Sequence, residues 1–241
     1  MRKMFRGIVE RFSRSLAELI RGYDFDLPHQ LRVKAMDEAI EFYHENMPNA
    51  QVFQSKKPML DFELDNVKLS GLYLEFGVAA AVHTNYIAKK IEHTIHGFDS
   101  FRGFPESWAG TEIYRRNKTS TPRAFHDYNG IKPKVRENVI LHAGWFNETL
   151  PKFAKSNDEN IAYLNIDCDL YSSTKTVFDW LGDRIQIGTI IHFDELIAIP
   201  GWREHEYKAF MEFVKNHNVK FEYLAVGQKG MVAVKITGIS S

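Results

Sequence analysis

Residues 72–77 read LYLEFG, an apolar run closing on glycine, and residues 82–94, VHTNYIAKKIEHT, follow it at helical spacing. Successive apolar positions mark a strand buried on both faces, and such strands belong to sheets covered by helices on each side. Outward from this pair the alternation repeats. IHGFD (95–99), NVILHAG (138–144), IAYLNID (161–167) and GTIIHFDE (188–195) are further strands, and several intervening stretches can hold a helix. YKAFMEFVKNHN (207–218) is a late helix, and FEYLAVGQKGMVAVKI (221–236) reads as two strands joined by a Gly-containing turn. Two adjacent strands at the end break the βαβ pattern, so the expected fold class is α/β, a mostly parallel sheet with an antiparallel edge.

The chain has 241 residues, with 31 Lys plus Arg against 31 Asp plus Glu. That suits one α/β domain with an N-terminal extension, and the charge balance argues against a general nucleic-acid surface. Cys168 is the single cysteine, and neither a membrane span nor a signal-peptide pattern stands out; the expectation is a cytoplasmic protein. Residues 4–21 read as an amphipathic helix whose apolar stripe includes Phe5, Ile8, Phe12 and Leu16, with Arg6, Arg11, Arg14 and Arg21 opposite. It is expected to pack on protein, on the domain itself or across a homodimer, in preference to an anionic membrane. A second helix is expected over residues 30–46 and a polar connector over 50–70.

Ligands of open α/β sheets bind beyond the carboxyl ends of the strands. Here the strand ends carry Glu75 and Gly77, Asp99, Gly144, Asp167 with Asp169, and Asp194 with Glu195. A single such acid is ordinary turn chemistry; acids at four of five ends point to a site. Gly77 lets the backbone approach a ligand, and Asp99 can bond both ribose hydroxyls. That spacing fits NAD as well as S-adenosylmethionine. Glu75 favours the latter, because an acid before the glycine suits an amino group and not a pyrophosphate. The run G-x-G-x-x-G is also missing after the first strand. Asp167, Asp194 and Glu195 offer hard oxygen ligands for Mg²⁺; the structural alternative is that they cap helices or pair with Arg184 or Arg203.

At these residues the chain resembles the macrocin O-methyltransferase family of S-adenosylmethionine-dependent enzymes, over about residues 70–236. The motifs are LEFGVAAAVHTNYIA (74–88), HGFDSFRGFPESW (96–108), HAGWFNETLP (142–151), NIDCDLYSST (165–174) and IIHFDELIAIPGW (190–202). The resemblance implies a class I, Rossmann-like seven-stranded sheet with its last strand antiparallel. Residues 1–69 would be an N-terminal helical extension and connector, and residues 70–241 the methyltransferase domain. It implies methyl transfer from S-adenosylmethionine to a hydroxyl of a small-molecule or saccharide-like acceptor, assisted by Mg²⁺. By position, Glu75, Gly77 and Val78 would hold the methionyl end; His83, where a Ser is common, is open between contacting the methionyl carboxylate and standing exposed at the helix start. Asp99 and Ser100 would meet the ribose, and Gly144, Trp145 and Phe146 would border the adenine. Asp167, Asp194 and Glu195 fall at metal-ligand positions, and Asp167 is also the expected catalytic residue, assisting deprotonation. Glu195 departs from the usual Asp or Asn, and Ala79, Ala80 and Ala81 stand where a glycine-rich or polar turn is usual.

His192 reads as a satisfied core histidine, and His142 is open between core and site. Trp108 and Trp202 are placed to stack on an acceptor, Trp180 in the core. Cys168, between two acids, is expected to be an inert thiol. Residues 104–128 read as an acceptor-side loop. A non-catalytic ligand-binding or scaffold protein of the same fold is the alternative function, favoured by the alanine-rich first motif.

Overall fold

A computed structural model describes residues 26–106 and 127–240 of the chain. The helix expected over 4–21, and Trp108, lie outside them. Among the described residues eight strands form one sheet: β1 (Gln51–Phe53), β2 (Leu72–Phe76), β3 (Ile95–Asp99), β4 (Val139–Ala143), β5 (Ile161–Ile166), β6 (Ile185–Phe193), β7 (Val219–Gly227) and β8 (Val232–Ile239). Their order is β1-β7-β8-β6-β5-β2-β3-β4. β8 runs antiparallel to β6 and β7, and every other pairing is parallel. The seven expected strands are present as β2–β8. The eighth, β1, comes from the stretch read as a polar connector.

Among the described residues six α-helices cover the sheet: α1 (Leu27–Asn46), α2 (Lys56–Asn66), α3 (Val82–Lys90), α4 (Phe146–Ser156), α5 (Tyr171–Leu181) and α6 (Glu206–Asn216). All residues of β2 and β5 are buried, because helices lie on both faces. Leu72, Leu74 and Phe76 pack with Phe42 of α1, Leu150 and Phe153 of α4, Phe178 of α5 and Phe210 and Phe213 of α6. Tyr73 points the other way, into a cluster with Leu60 of α2 and Ile87 and Ala88 of α3. This is the two-residue side-chain period of a strand read out as two cores.

The connector reading fails at residues 51–66 for a definite reason. Its apolar residues are few, but Met59 and Leu60 are fully buried, one helical step apart from Glu63 on the same face of α2. Ser55 at the N-cap and Pro58 in the first turn supply a helix start. α1 likewise begins at Leu27, earlier than expected, because Asp26 caps it through the His29 N–H and Pro28 sits in its first turn. Two tryptophans are also corrected. Trp202 is buried in an aromatic cluster with Phe42 and Tyr207, at centroid distances of 5.2 and 4.9 Å. It is therefore closed to any acceptor. Trp180, expected in the core, is 45% exposed on α5. Among the described residues no helix is long and apolar enough to cross a membrane.

Helix α3, after β2, lies on one face of the sheet, and α4 and α5 lie on the other. The crevice therefore opens where the chain reverses direction, at the carboxyl ends of β2 and β5. The two strand ends nearly touch. Gly77 has φ +95°, and a Cβ there would lie 1.7 Å from the Asp167 carbonyl oxygen. Behind the crevice, Glu75 is 1% exposed and accepts a hydrogen bond from Asn165 Nδ2 at 2.9 Å. Burial pushes its carboxyl up to about 7, against the opposing pull of nearby hydrogen bonds and Lys56.

Three outcomes are expected. Gly77→Ala combines a backbone clash with left-handed strain and lowers stability by about 2–5 kcal/mol in urea titration. Phe42→Ala leaves a hole between α1 and the aromatic cluster and costs about 3–5 kcal/mol in the same assay. Glu75 has a raised native pKa, so its neutral form is the stabilised one: its contribution is complete below the unfolded value of 4.5 and is lost as pH rises through about 7. Glu75→Gln therefore flattens the decline of stability between pH 5 and 8, by on the order of 1–3 kcal/mol relative to wild type; parallel pH profiles would remove this role from Glu75.

Candidate active site

A cavity of about 720 Å³ opens at this crevice. Gly77, Val78, His83, Asp99, Ser100, Gly144, Trp145, Phe146, Asp167, Asp194 and Glu195 all line it. Of the cofactor, catalytic and metal-ligand positions expected from the sequence, Glu75 alone is set back, beneath the turn that follows β2.

One half of the cavity is organised by Asp99. Its Oδ2 accepts the N–H groups of Val78 and Ala79 at 2.9 and 2.8 Å, and its Oδ1 accepts that of Phe101 at 2.6 Å. The Asp99 carbonyl oxygen accepts the Gly144 N–H at 3.0 Å. A single residue thus ties the loops after β2, β3 and β4. These bonds also hold a turn in which Ala79 and Ala81 adopt φ of 48° and 57°, a region where a Cβ costs roughly 1–2 kcal/mol. The turn thus places alanines in conformations that glycine ordinarily supplies. Ser100 Oγ donates to the Gly103 carbonyl and accepts the Arg102 N–H, both at 3.0 Å. Phe146 packs edge-on against Phe76 at 5.2 Å, beside Trp145 at the start of α4.

The other half is a group of carboxylates at the ends of β5 and β6, compensated from an unexpected direction. Lys56, at the first position of α2, reaches Asp167 Oδ2 at 2.8 Å and Asp194 Oδ1 at 2.7 Å. Burial pulls its ammonium down, but the two carboxylates outweigh that and hold it above its usual range. Behind Asp194, His192 is fully buried, with Nδ1 2.8 Å from Glu63 Oε1 and Nε2 3.9 Å from Asp194 Oδ1. Burial disfavours its charge, yet Glu63 and Asp194 raise it to about 9. Tyr163 donates to Glu63 Oε2 at 2.7 Å. Asp194, desolvated but flanked by His192 and Lys56, lies well below the carboxylate range. His83 Nδ1 stands 3.7 Å from the same Asp167 oxygen that Lys56 holds.

Asp169 and Glu195 are handled differently. Asp169, at φ +62°, shares a hydrogen bond with Glu195; burial, with the neighbouring charge, pushes Asp169 well up, and Glu195 to about 7. Glu206 of α6 accepts the N–H groups of Asp169 and Glu195 at 3.3 and 3.4 Å, and burial raises it too. The mutual repulsion of these three acids shows as raised affinity for protons. The expected metal set of Asp167, Asp194 and Glu195 therefore does not fit a divalent ion: Lys56 spans two of its members and Asp169 engages the third. Among the described residues no three His, Cys, Asp or Glu side chains are arranged to hold a metal.

Neither arginine considered as a partner plays that part. Arg184 Nη2 donates to the Ala154 carbonyl, and Arg203 stacks 4.0 Å above Trp202. His142 stacks on Phe98 at 4.4 Å and lies 3.0 Å from His96; burial, then the His96 charge, lowers it to about 4, so it is a neutral ring outside the cavity. Cys168 is buried with its Sγ 3.3 Å from Thr174 Oγ1, and burial raises its pKa, as an inert thiol requires. The residues missed in the sequence are Lys56, Glu63 and Glu206. The first two lay within the supposed connector, where the Ser55–Pro58 helix start was the available signal.

The profile of the macrocin O-methyltransferase (TylF) family matches residues 78–233. A demethyldecarbamoylnovobiocin O-methyltransferase of Streptomyces niveus is 28% identical over 133 residues, 49% of this chain and 48% of that protein. An 8-demethyl-8-(2,3-dimethoxy-alpha-L-rhamnosyl)-tetracenomycin-C 4'-O-methyltransferase of Streptomyces olivaceus is 29% identical over 126 residues, 46% of this chain and 45% of that one. The chain thus spans about half the length of these curated relatives. The crystal structure of CalS11, a calicheamicin methyltransferase, superposes with a TM-score of 0.57 at 25% identity, covering 74% of this chain and 77% of the other. The matched region runs from the turn after Gly77 through both groups of strand-end carboxylates into β8, the residues that build the cavity, and the chain belongs to the macrocin O-methyltransferase family.

Proposed function

We propose that the protein transfers a methyl group from S-adenosylmethionine to a hydroxyl oxygen of a sugar-bearing small molecule. The observation that carries this is the meeting, in one cavity, of the loops tied by Asp99 with the carboxylates at the ends of β5 and β6. Family membership supports the reaction. The novobiocin relative, by its name, supports transfer to oxygen, and the rhamnosyl 4'-O-methyltransferase, by its name, supports a hydroxyl on a glycosylated acceptor.

In this reading the Asp99 carboxylate, which already takes three N–H bonds, meets a ribose hydroxyl with its remaining acceptor position. Gly77 and Val78 give close backbone approach at the methionyl end, and Trp145 and Phe146 form an apolar wall for the adenine. Bound S-adenosylmethionine supplies an electrophilic sulfonium methyl. The protein's part is to place an acceptor oxygen in line with it, where positioning yields much of the acceleration. Ser172, Ser173 and Thr176 at the start of α5 line the acceptor side and offer hydroxyls to a polyhydroxylated substrate. The acceptor's proton goes to a cavity carboxylate. Asp167 was the residue expected to take it, but one of its oxygens is held by Lys56. Glu195, sharing a bond with Asp169 and raised to about 7, is better matched to proton transfer near neutrality. No step passes through a divalent cation, since the three expected ligands are engaged with Lys56 and Asp169.

Calorimetry tests the cofactor half directly. Wild type binds S-adenosylhomocysteine and not NAD. Asp99→Ala weakens that binding by about 1.5–3 kcal/mol, the range for hydrogen bonds to a charged group. Because Asp99 also pins the Val78–Ala79 turn, the variant's melting temperature is measured alongside. Equal affinity in a folded Asp99→Ala would take Asp99 out of the site, and absence of binding by wild type would overturn the reading.

A further inference from the structure

Lys56 is not explained by methyl transfer alone. Two lysines, Lys56 and Lys57, open α2, and its first turn holds no acid. Both features run against the helix dipole, whose positive N-terminus favours carboxylates and repels ammonium groups. The side chain is also only 11% exposed, an expensive place for a long cation unless it is paired. Asp167 and Asp194, on neighbouring strands β5 and β6, supply that pairing, each with one oxygen. The geometry is braced from the same helix: Met59 and Leu60 are fully buried, and Glu63, seven residues after Lys56, binds His192 and Tyr163 under the sheet. The ammonium is therefore delivered by a packed element and not by a free surface stem. Lys56 also lies ahead of residues 78–233, the span shared with the family.

We propose that Lys56 is this chain's built-in cation, its ammonium taking the place a divalent ion would hold between Asp167 and Asp194, so that the carboxylate group is ordered without a metal. The proposal rests on the methyltransferase reading of the cavity. Lys56 is a positioning residue: it sets the rotamers and charge of Asp167 and Asp194 and leaves reacting atoms to other groups. A single positive charge also neutralises only one of the two carboxylates, leaving the cavity floor negative toward a sulfonium, which a divalent ion would not.

The test uses the full chain and two separate readouts. Binding of Mn²⁺ is followed by electron paramagnetic resonance in wild type, Lys56→Ala and Lys56→Met, and binding of S-adenosylhomocysteine by calorimetry in the same samples, with and without a chelator. Wild type is expected to hold no Mn²⁺ at millimolar concentration, with chelator-independent binding of S-adenosylhomocysteine. Removing the ammonium uncovers two aspartates, and both variants should gain Mn²⁺ affinity by on the order of tenfold or more. Lys56→Met retains the apolar stem and serves if Lys56→Ala fails to fold. Wild type binding Mn²⁺ as tightly as the variants, or folded variants that gain none, would overturn the proposal. Loss of S-adenosylhomocysteine binding in wild type would instead sink the methyltransferase reading, and the Mn²⁺ comparison would still report on Lys56.

Discussion

Carboxylates gathered at one sheet edge repel each other, and a fold that gathers them must supply a counter-charge or a proton for each. The ends of β5 and β6, with α6 behind them, bring Asp167, Asp169, Asp194, Glu195 and Glu206 together. Two solutions operate side by side. Toward α2, alternating charges run from Glu63, which also accepts the Tyr163 hydroxyl, through His192, Asp194 and Lys56 to Asp167. Toward α6, Asp169, Glu195 and Glu206 have raised affinities for protons. The boundary between the two falls inside the cavity, so one wall carries fixed charge and the other a group able to exchange a proton near neutral pH.

The sheet itself makes this arrangement possible. β2 and β5 lie side by side at the point of reversal, and their ends approach so closely that only glycine fits at position 77. That contact sets the distance between the turn tied by Asp99 and the carboxylate wall. The strain of Ala79 and Ala81 is confined to the same turn and is offset by the bonds their neighbourhood gives to Asp99. Stability and the shape of the cavity thus draw on one short stretch, where alanines take left-handed conformations that glycine favours.

Much of the architecture was legible in the chain because buried strands leave continuous apolar text and their carboxyl ends leave polar punctuation. LYLEFG, IHGFD, NVILHAG, IAYLNID and GTIIHFDE all became strands, and eleven of the twelve expected site residues line the cavity. Position along a strand is a local property, and a site built at strand ends inherits it. Trp202 and Trp180 were misread because exposure is not local: the aromatic cluster that closes over Trp202 draws Phe42 from α1 and Tyr207 from α6.

The sequence by itself determined the α/β alternation, the antiparallel last strand, the location of the crevice and the acids that face it. Only the tertiary structure decided what those acids do. Lys56 and Asp167 stand 111 residues apart, and Glu63 and His192 stand 129 apart. No periodicity links residues at such separations. Their pairing depends on α2 crossing the face of the sheet beneath β5 and β6, and the sign of the charge arriving at Asp167 and Asp194 follows from that crossing. In the linear text the same two aspartates point equally well to a metal ion or to a helix cap or arginine partner.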